Sequence, residues 1–178
     1  GYNNTERMRI QSNGRVGVGT ESARAFLDLC GAAENATLLL DSNDENSNLC
    51  LMDNAGSVRM LNYGGAFALR VGGTGAFSGD TEKVRIDSSG RVMLGTTTEG
   101  WNEADDLTIA TTGHTGITIR SGTSSEGNLA FSDATSGTGE YAGLIRYKHN
   151  SDSMQFRTAG AVRLTINQDG NANFVGIV

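Results

Sequence analysis

A short pattern that occurs three times limits the folds open to this chain more than any other feature of its sequence. Each copy places an isoleucine four positions before a glycine, in the pairs Ile10 and Gly14, Ile86 and Gly90, and Ile166 and Gly170. The copies, called markers below, cover residues 7–20, 83–96 and 162–176. A pattern that returns at such intervals indicates tandem structural units. The 178 residues are therefore predicted to form two units: residues 1–90, a first β repeat unit with a leading hairpin, and residues 91–178, a second with a closing hairpin.

The segments between the markers also correspond, in the same order in both units. Residues 27–29 match 107–109, residues 38–42 match 117–121, residues 48–53 match 128–133, and residues 67–73 match 154–160. Both units are therefore expected to share one fold. The third marker departs from the other two, because Asn171 stands where they have a second arginine and one extra residue precedes Gly176.

Strands are predicted almost throughout the chain. Apolar residues alternate with polar ones at a period of two, which is typical of strands. The alternating pairs are Met8/Ile10, Val16/Val18, Val84/Ile86, Val92/Leu94, Ile117/Ile119 and Leu164/Ile166. The dipeptides Asn13-Gly14, Ser89-Gly90 and Asp169-Gly170 suit the positive-φ positions of a tight hairpin turn. Helical turns are expected only at residues 20–25 and 99–106, which are equivalent connectors before the first strand of a unit.

The composition leaves little material for a hydrophobic core. Hydrophobic residues make up 37% of the chain, against roughly 45–50% in ordinary globular domains. Charged residues are only 19% and Val/Ile/Leu runs recur, which is unlike a disordered chain. Proline is absent, so strand edges lack one of their usual protections. Because small units bury a low fraction of their surface, we expect three copies to share an interior around one axis.

Charge and hydropathy argue against nucleic acid and membrane as partners. The net charge is −6, and no basic run is present to neutralise phosphates. No stretch approaches the roughly 20 apolar residues of a membrane span, and no signal peptide begins the sequence. Residues 1–4 and 176–178 have the character of cuts through a longer polypeptide. Cys30 and Cys50, each beside leucine, are predicted to be small buried apolar side chains, with a disulfide between them as the alternative.

Residues 6–20 resemble a recurrent motif of phage tail-fibre and virion structural proteins, particularly those of marine cyanophages. Residues 116–147 and 170–178 are similar to the same proteins, so the resemblance covers nearly the whole chain. It implies a slender homotrimer of interwoven β-structure, often ending in a self-cleaving intramolecular chaperone, of which this sequence shows no sign. The resemblance indicates the class of protein and does not identify a receptor.

Catalytic candidates are few. His114 and His149 are the only histidines; each stands among turn residues and is interpreted as a surface-loop residue, and no Gly-x-Ser-x-Gly pattern marks a nucleophile. The paired carboxylates that a glycan-cleaving tailspike needs have two candidate groups: Asp41, Asp44, Glu45 and Asp53, or Glu103, Asp105 and Asp106. A solvated turn is the favoured interpretation of the first group.

No ligand-binding loop has a complete motif. Oxygen ligands at alternate positions of residues 41–48 suit calcium, but Asn46 and Met52 stand where an EF-hand needs Gly and Glu. The glycine-rich residues 72–79 lack the Lys-Ser/Thr of a phosphate-binding loop and are predicted to be a hairpin loop. No catalytic, cofactor-binding or metal-binding residue is therefore assigned, and no cofactor is expected.

The arginines of the markers occupy repeated positions, which indicates a structural task in preference to ligand binding. They are Arg9, Arg15, Arg85, Arg91 and Arg163. Inter-chain pairing with Asp87 or Glu6 is the expected form of that task. Trp101, Tyr141 and Tyr147 are candidates for stacking on sugars, although packing under a connector is the expected use of Trp101.

These features predict an all-β protein of elongated, repeat-built hairpins in an intertwined homotrimeric fibre. The expected function is that of a non-enzymatic structural segment of a viral tail fibre or virion appendage, extracellular and supporting attachment to the host cell. The expected partners are other copies of the chain, other virion or tail proteins, and a host surface glycan or protein receptor. A glycan-degrading tailspike and a bacterial surface adhesin or filament subunit are the alternatives.

Overall fold

The structure, a computed structural model, describes residues 6–30, 38, 40–43, 46–75 and 78–176. The described residues form fourteen strands in three sheets and one 3₁₀ turn, Gly137–Tyr141. The prediction of an all-β fold is confirmed. The helical turns expected at residues 20–25 and 99–106 are absent, since both segments contain only bends and non-helical turns. By contacts the chain divides into two compact units, Gly1–Thr115 and Gly116–Val178.

The first unit contains a three-stranded and a six-stranded sheet. The small sheet comprises β1 (Met8–Ile10), β2 (Val16–Val18) and β3 (Leu27–Leu29). The large sheet comprises β4 (Asn46–Met52), β5 (Ser57–Tyr63), β6 (Ala66–Gly73), β7 (Thr81–Ile86), β8 (Val92–Leu94) and β9 (Leu107–Ile109). Strands follow one another in chain order in both sheets. All neighbours are antiparallel except the last pair of each sheet, β2 with β3 and β8 with β9, which is parallel.

The second unit is one antiparallel sheet of five strands in chain order. These are β10 (Glu126–Phe131), β11 (Gly143–Lys148), β12 (Ser153–Thr158), β13 (Ala161–Ile166) and β14 (Ala172–Phe174). The sheet repeats the order of β4 to β8, including a register shift at the same place: after Leu69 opposite β7, and after Phe156 opposite β13. The two sheets therefore share one topology and one irregularity.

All three markers form the predicted hairpins. Ile10 pairs with Val16, Ile86 with Val92, and Ile166 with Ala172. Gly14, Gly90 and Gly170 have φ values of 82°, 84° and 82°, a region that glycine occupies without steric cost. In each turn the amide of this glycine donates to the carbonyl three residues earlier, at 2.9 to 3.0 Å.

In the first two markers a second glycine lies close to the backbone that follows the paired parallel strand. A Cβ on Gly19 would lie 2.0 Å from the Cys30 carbonyl oxygen, and one on Gly95 would lie 2.5 Å from that of Ala110. Both clashes involve the residue that follows the parallel strand paired with the marker. No strand follows β14 in the described residues, and Val175 occupies the equivalent position there.

The sheets are single layers with little core. Apart from a contact between the 3₁₀ turn and β10, the substantial contacts among the described elements join only neighbouring strands. Among the described residues, the buried hydrophobic side chains are Ala23, Leu61, Ala66, Ala68, Met93 and Leu144.

The strand predicted at Ile117 and Ile119 is wrong. Residues 111–122 contain no strand, and both isoleucines are exposed. Ile119 Cγ2 nevertheless lies 3.5 Å from where a Cβ of Gly127 on β10 would be. The matching residues Leu38 and Leu40 are also exposed and outside any strand, and Leu39 lies outside the described residues. An alternating pattern produces a strand only where a neighbouring strand completes its hydrogen bonds.

Candidate functional site

The six-stranded sheet carries a continuous row of apolar side chains across all its strands. The register places Leu49 opposite Met60, then Leu69, Val84, Leu94 and Ile109 in turn. Residues directly opposite each other in neighbouring strands project to the same face. These six residues, the first apolar row, therefore lie on one face.

The five-stranded sheet carries the equivalent row. Leu129 lies opposite Ile145, followed by Phe156, Leu164 and Phe174. These five residues are called the second apolar row. None of the eleven residues in the two rows is buried, and the exposed fraction is 39% for Met60 and 52% for Leu129. An antiparallel sheet normally packs its apolar face against the core, so both faces lack a covering layer in the isolated chain.

The opposite face of the six-stranded sheet holds a cluster of charged side chains. Arg59 on β5 donates through Nε to Asp80 Oδ2, and through Nη2 to Asp80 Oδ1 at 2.8 Å. Both side chains are buried, with exposed fractions of 8% and 4%. Arg70 Nη1 on β6 lies 3.5 Å from Asp80 Oδ1. The hydrogen bonds from Arg59 hold the pKa of Asp80 below its usual value of 3.8.

The marker arginines form the same contacts in both copies. Arg9 pairs with Glu6 at 2.5 Å, and Arg85 with Glu82 at 2.6 Å, three residues apart in each case. The second arginine of the marker reaches the connector that follows. Arg15 Nη1 donates to the Ala23 carbonyl at 3.1 Å.

Arg91 has the same position in the second marker and makes the stronger contacts. Its Nη1 donates to Asp105 Oδ2 at 2.9 Å, and its Nε donates to Asp87 Oδ2 at 2.8 Å. Glu6 and Asp87 are the partners expected from the sequence, and they are reached within one chain. Asn171 occupies the position of this arginine in the third marker.

The two histidines lie in different surroundings. His114 is exposed, and its backbone carbonyl accepts from Thr111 Oγ1 at 3.4 Å. The His149 ring meets the edge of the Tyr147 ring at a centroid distance of 5.0 Å. The Tyr147 hydroxyl donates to Asp152 Oδ1 at 3.1 Å, and this bond raises the pKa of the tyrosine.

The carboxylate candidates are used locally. Asp53 Oδ1 accepts from the amides of Ala55 and Gly56 at 2.8 and 3.0 Å, which closes the turn between β4 and β5. Asp105 is held by Arg91. Asp41, Glu103 and Asp106 are exposed. Asp44 and Glu45 lie outside the described residues.

Several single-residue expectations are corrected. Trp101 does not pack under its connector, because 68% of its surface is exposed. Cys30 is exposed and Cys50 half-buried, so the prediction of a buried side chain is wrong for Cys30, and the two form no disulfide. Tyr141 lies 4.9 Å beneath the guanidinium of Arg157, which occupies one face of its ring.

The remaining loop predictions concern residues 72–79 and the metal candidates. The loop joins β6 to β7 as a hairpin, as predicted, with a bridge between Gly75 and Ser78. Among the described residues, no group of three or more His, Cys, Asp or Glu side chains is placed to hold a metal ion.

No helix within the described part of the chain has the length and hydropathy to cross a bilayer.

No protein-family model matches the chain, and no curated protein matches it at a significant level. The apolar rows and the Arg59–Asp80 pair were both missed by the sequence reasoning. The apolar rows can be identified only when the register of every strand is known. The repeat offers a signal for Arg59, since the strand register places Leu144 at the equivalent position of the second unit. Asp80 lies in a loop that is shorter in the second unit.

Proposed function

We propose that this chain is a structural, non-enzymatic segment of a virion fibre, in which three copies pack their apolar rows together around a common axis. The observation that carries the proposal is the exposure of both apolar rows on single-layer sheets. The assignment to a tail fibre or similar appendage rests on the resemblance of residues 6–20, 116–147 and 170–178 to such proteins.

Stable association needs an extended contact surface. A standard interface buries about 800 Å² on each partner, and a chain with two neighbours around a three-fold axis needs about twice that. The two apolar rows are proposed to form the centre of this surface. Ile117 and Ile119 are exposed and stand outside any strand, so they offer further apolar surface to a neighbouring copy.

The proposed mechanism is mechanical. Three chains that share one interior hold each other rigid and carry surface loops away from the particle, where they support attachment to a host cell. The proposed partners are other copies of this chain, other virion or tail proteins, and a host surface receptor. The location is the virion exterior.

Sedimentation equilibrium of the purified chain tests the proposal. The expected mass is three times the 18.7 kDa of one chain, unchanged on dilution into the low micromolar range. A single-chain mass together with an intact β-sheet circular dichroism spectrum would contradict it, and a stable dimer would contradict the three-fold arrangement.

A further inference from the structure

The polar face of the six-stranded sheet contains a concave site of about 490 Å³. Its lining residues come from β4, β5 and β6 and from the segment before β4: Ser42, Asn46, Asn48, Arg59, Leu61, Tyr63 and Arg70. Sites that bind small molecules commonly have volumes of 300 to about 1,000 Å³. The volume therefore fits a ligand of one or two sugar rings.

The floor of this site carries more positive than negative charge. Arg59 uses both carboxylate oxygens of Asp80, which leaves Arg70 with a longer contact to an acid already paired. The Arg70 Nε is buried without a hydrogen-bond partner, as are the Nε atoms of Arg146 and Arg157, so this atom does not distinguish the site. The Arg70 side chain is 36% exposed and its contact to Asp80 is 3.5 Å long, so the exposed part of its guanidinium can pair with an anion from outside the chain.

The second unit shows that the fold does not need this cluster. It builds an equivalent five-strand arrangement with Leu144 in place of Arg59, and a shorter turn stands in place of the loop that carries Asp80. Arg157 corresponds to Arg70, but it donates to the Gly160 carbonyl and lies over Tyr141. A buried ion pair is weak evidence for stability, since apolar residues often serve as well. The Arg59–Asp80 ion pair of the first unit therefore indicates a role other than stabilising the fold.

The rim of the site suits a saccharide. Asn46 and Asn48 provide amides, and Asn48 Oδ1 accepts from Arg59 Nη1 at 3.3 Å. Tyr63 is exposed, and the guanidinium of Arg85 lies 5.8 Å from the centre of its ring. Because 44% of Tyr63 is exposed, its ring is accessible for stacking on a sugar. Amides that bind hydroxyls, an aromatic ring and an arginine together recognise an acidic sugar.

We propose that this site binds a carboxylate-bearing sugar, with the carboxylate on Arg70, the sugar ring near Tyr63 and its hydroxyls near Asn46 and Asn48. The inference deepens the proposed function and rests on it for the orientation of the sheet, whose polar face points outward when the apolar rows meet. The ligand class is then an acidic glycan on the surface to which the fibre attaches.

Titration of the full chain with small glycosides, followed by ligand-observed NMR, tests the site. Methyl glucuronide and methyl sialoside are the acidic probes, and methyl glucoside, acetate and inorganic sulfate are the comparisons. At least one acidic glycoside should bind at least tenfold more tightly than every comparison. Equal binding of methyl glucoside, equal binding of sulfate or acetate, or no saturable binding of either acidic probe at tens of millimolar would overturn the proposal.

Arg70→Gln and Arg157→Gln form a matched pair of variants, one in each unit at equivalent positions. Arg70→Gln should weaken acidic-glycoside binding at least tenfold while leaving the melting temperature close to that of the parent, because Asp80 keeps its partner Arg59. Arg157→Gln should leave binding unchanged. Equal affinity in the two variants would overturn the site.

Sedimentation of the same samples separates this inference from the proposed function. A trimer without glycoside binding removes the sugar site alone. A monomer that binds the acidic probe through Arg70 removes the fibre proposal and leaves the site standing.

Discussion

Leu129→Glu is the substitution that most directly tests whether the apolar rows form the contact between copies. Leu129 begins the second apolar row on β10, an edge strand of its sheet. In an isolated chain a glutamate at this position reaches water easily, since 52% of the leucine is exposed. In an assembly that buries the row, the same change places a carboxylate from each copy in an apolar interior.

The magnitude follows from the exposed half of the leucine. Full burial of a leucine side chain is worth about 2 kcal/mol, so covering the exposed half contributes about 1 kcal/mol for each chain. Three copies lose about 3 kcal/mol, and each 1.4 kcal/mol is a factor of ten. The equilibrium constant for dissociation of the trimer should therefore rise by at least about 100-fold. The cost of burying three carboxylates adds to this effect.

Sedimentation velocity over a dilution series measures the effect, with circular dichroism to show that β-structure is kept. Asn128→Glu is the matched control, because it introduces the same charge one residue earlier on the opposite, polar face of β10. Leu129→Glu should dissociate the assembly and Asn128→Glu should leave it intact. If Asn128→Glu dissociates the assembly while Leu129→Glu does not, or if the two behave alike, the reasoning about the faces is refuted.

Two further predictions concern the turns and the charged cluster. Gly90→Ala should lower the unfolding free energy by about 1 kcal/mol, since only its positive φ is unfavourable for alanine. Gly95→Ala should lower it by at least about twice as much, because the added Cβ would also meet the Ala110 carbonyl. Urea unfolding compares the two variants, and equal losses would contradict the clash. Ionised Asp80 contributes stability that is fully present above its usual pKa of 3.8 and is lost as pH falls through the lowered folded-state pKa. Asp80→Asn should therefore flatten the fall in melting temperature from about pH 4 to about pH 2, and an unchanged slope would exclude a contribution from Asp80.

The hairpins could be predicted from sequence because their determinants are local. Gly14, Gly90 and Gly170 specify the turns, and the alternating residues on each side specify which strands pair. The repeat adds the expectation that both units fold alike, which the shared register shift after Leu69 and Phe156 bears out. These features require only neighbouring residues and a second copy of the pattern for comparison.

The side-chain environments could not be predicted in the same way, because they depend on what covers each face. The sequence predicts that Trp101 packs under its connector and that Cys30 is buried, as such residues usually are in compact domains. In a single-layer sheet most faces have no covering layer, so both are exposed. Ile117 and Ile119 alternate with polar residues, which predicts a strand, but no neighbouring strand in the described part of the chain completes its hydrogen bonds.

The distribution of buried residues supports association more strongly than the composition does. On β5, Arg59 and Leu61 are buried, while Val58 and Met60, which alternate with them along the strand, are exposed. A chain that functions as a monomer would be more stable with Val58 and Met60 buried and Arg59 exposed, because apolar surface in water is unfavourable. On the polar face, small residues such as Ala68 lie beneath longer side chains, and these longer side chains cover that face. Among the described residues no layer covers the apolar face, and the proposed packing of copies against one another would remove it from water.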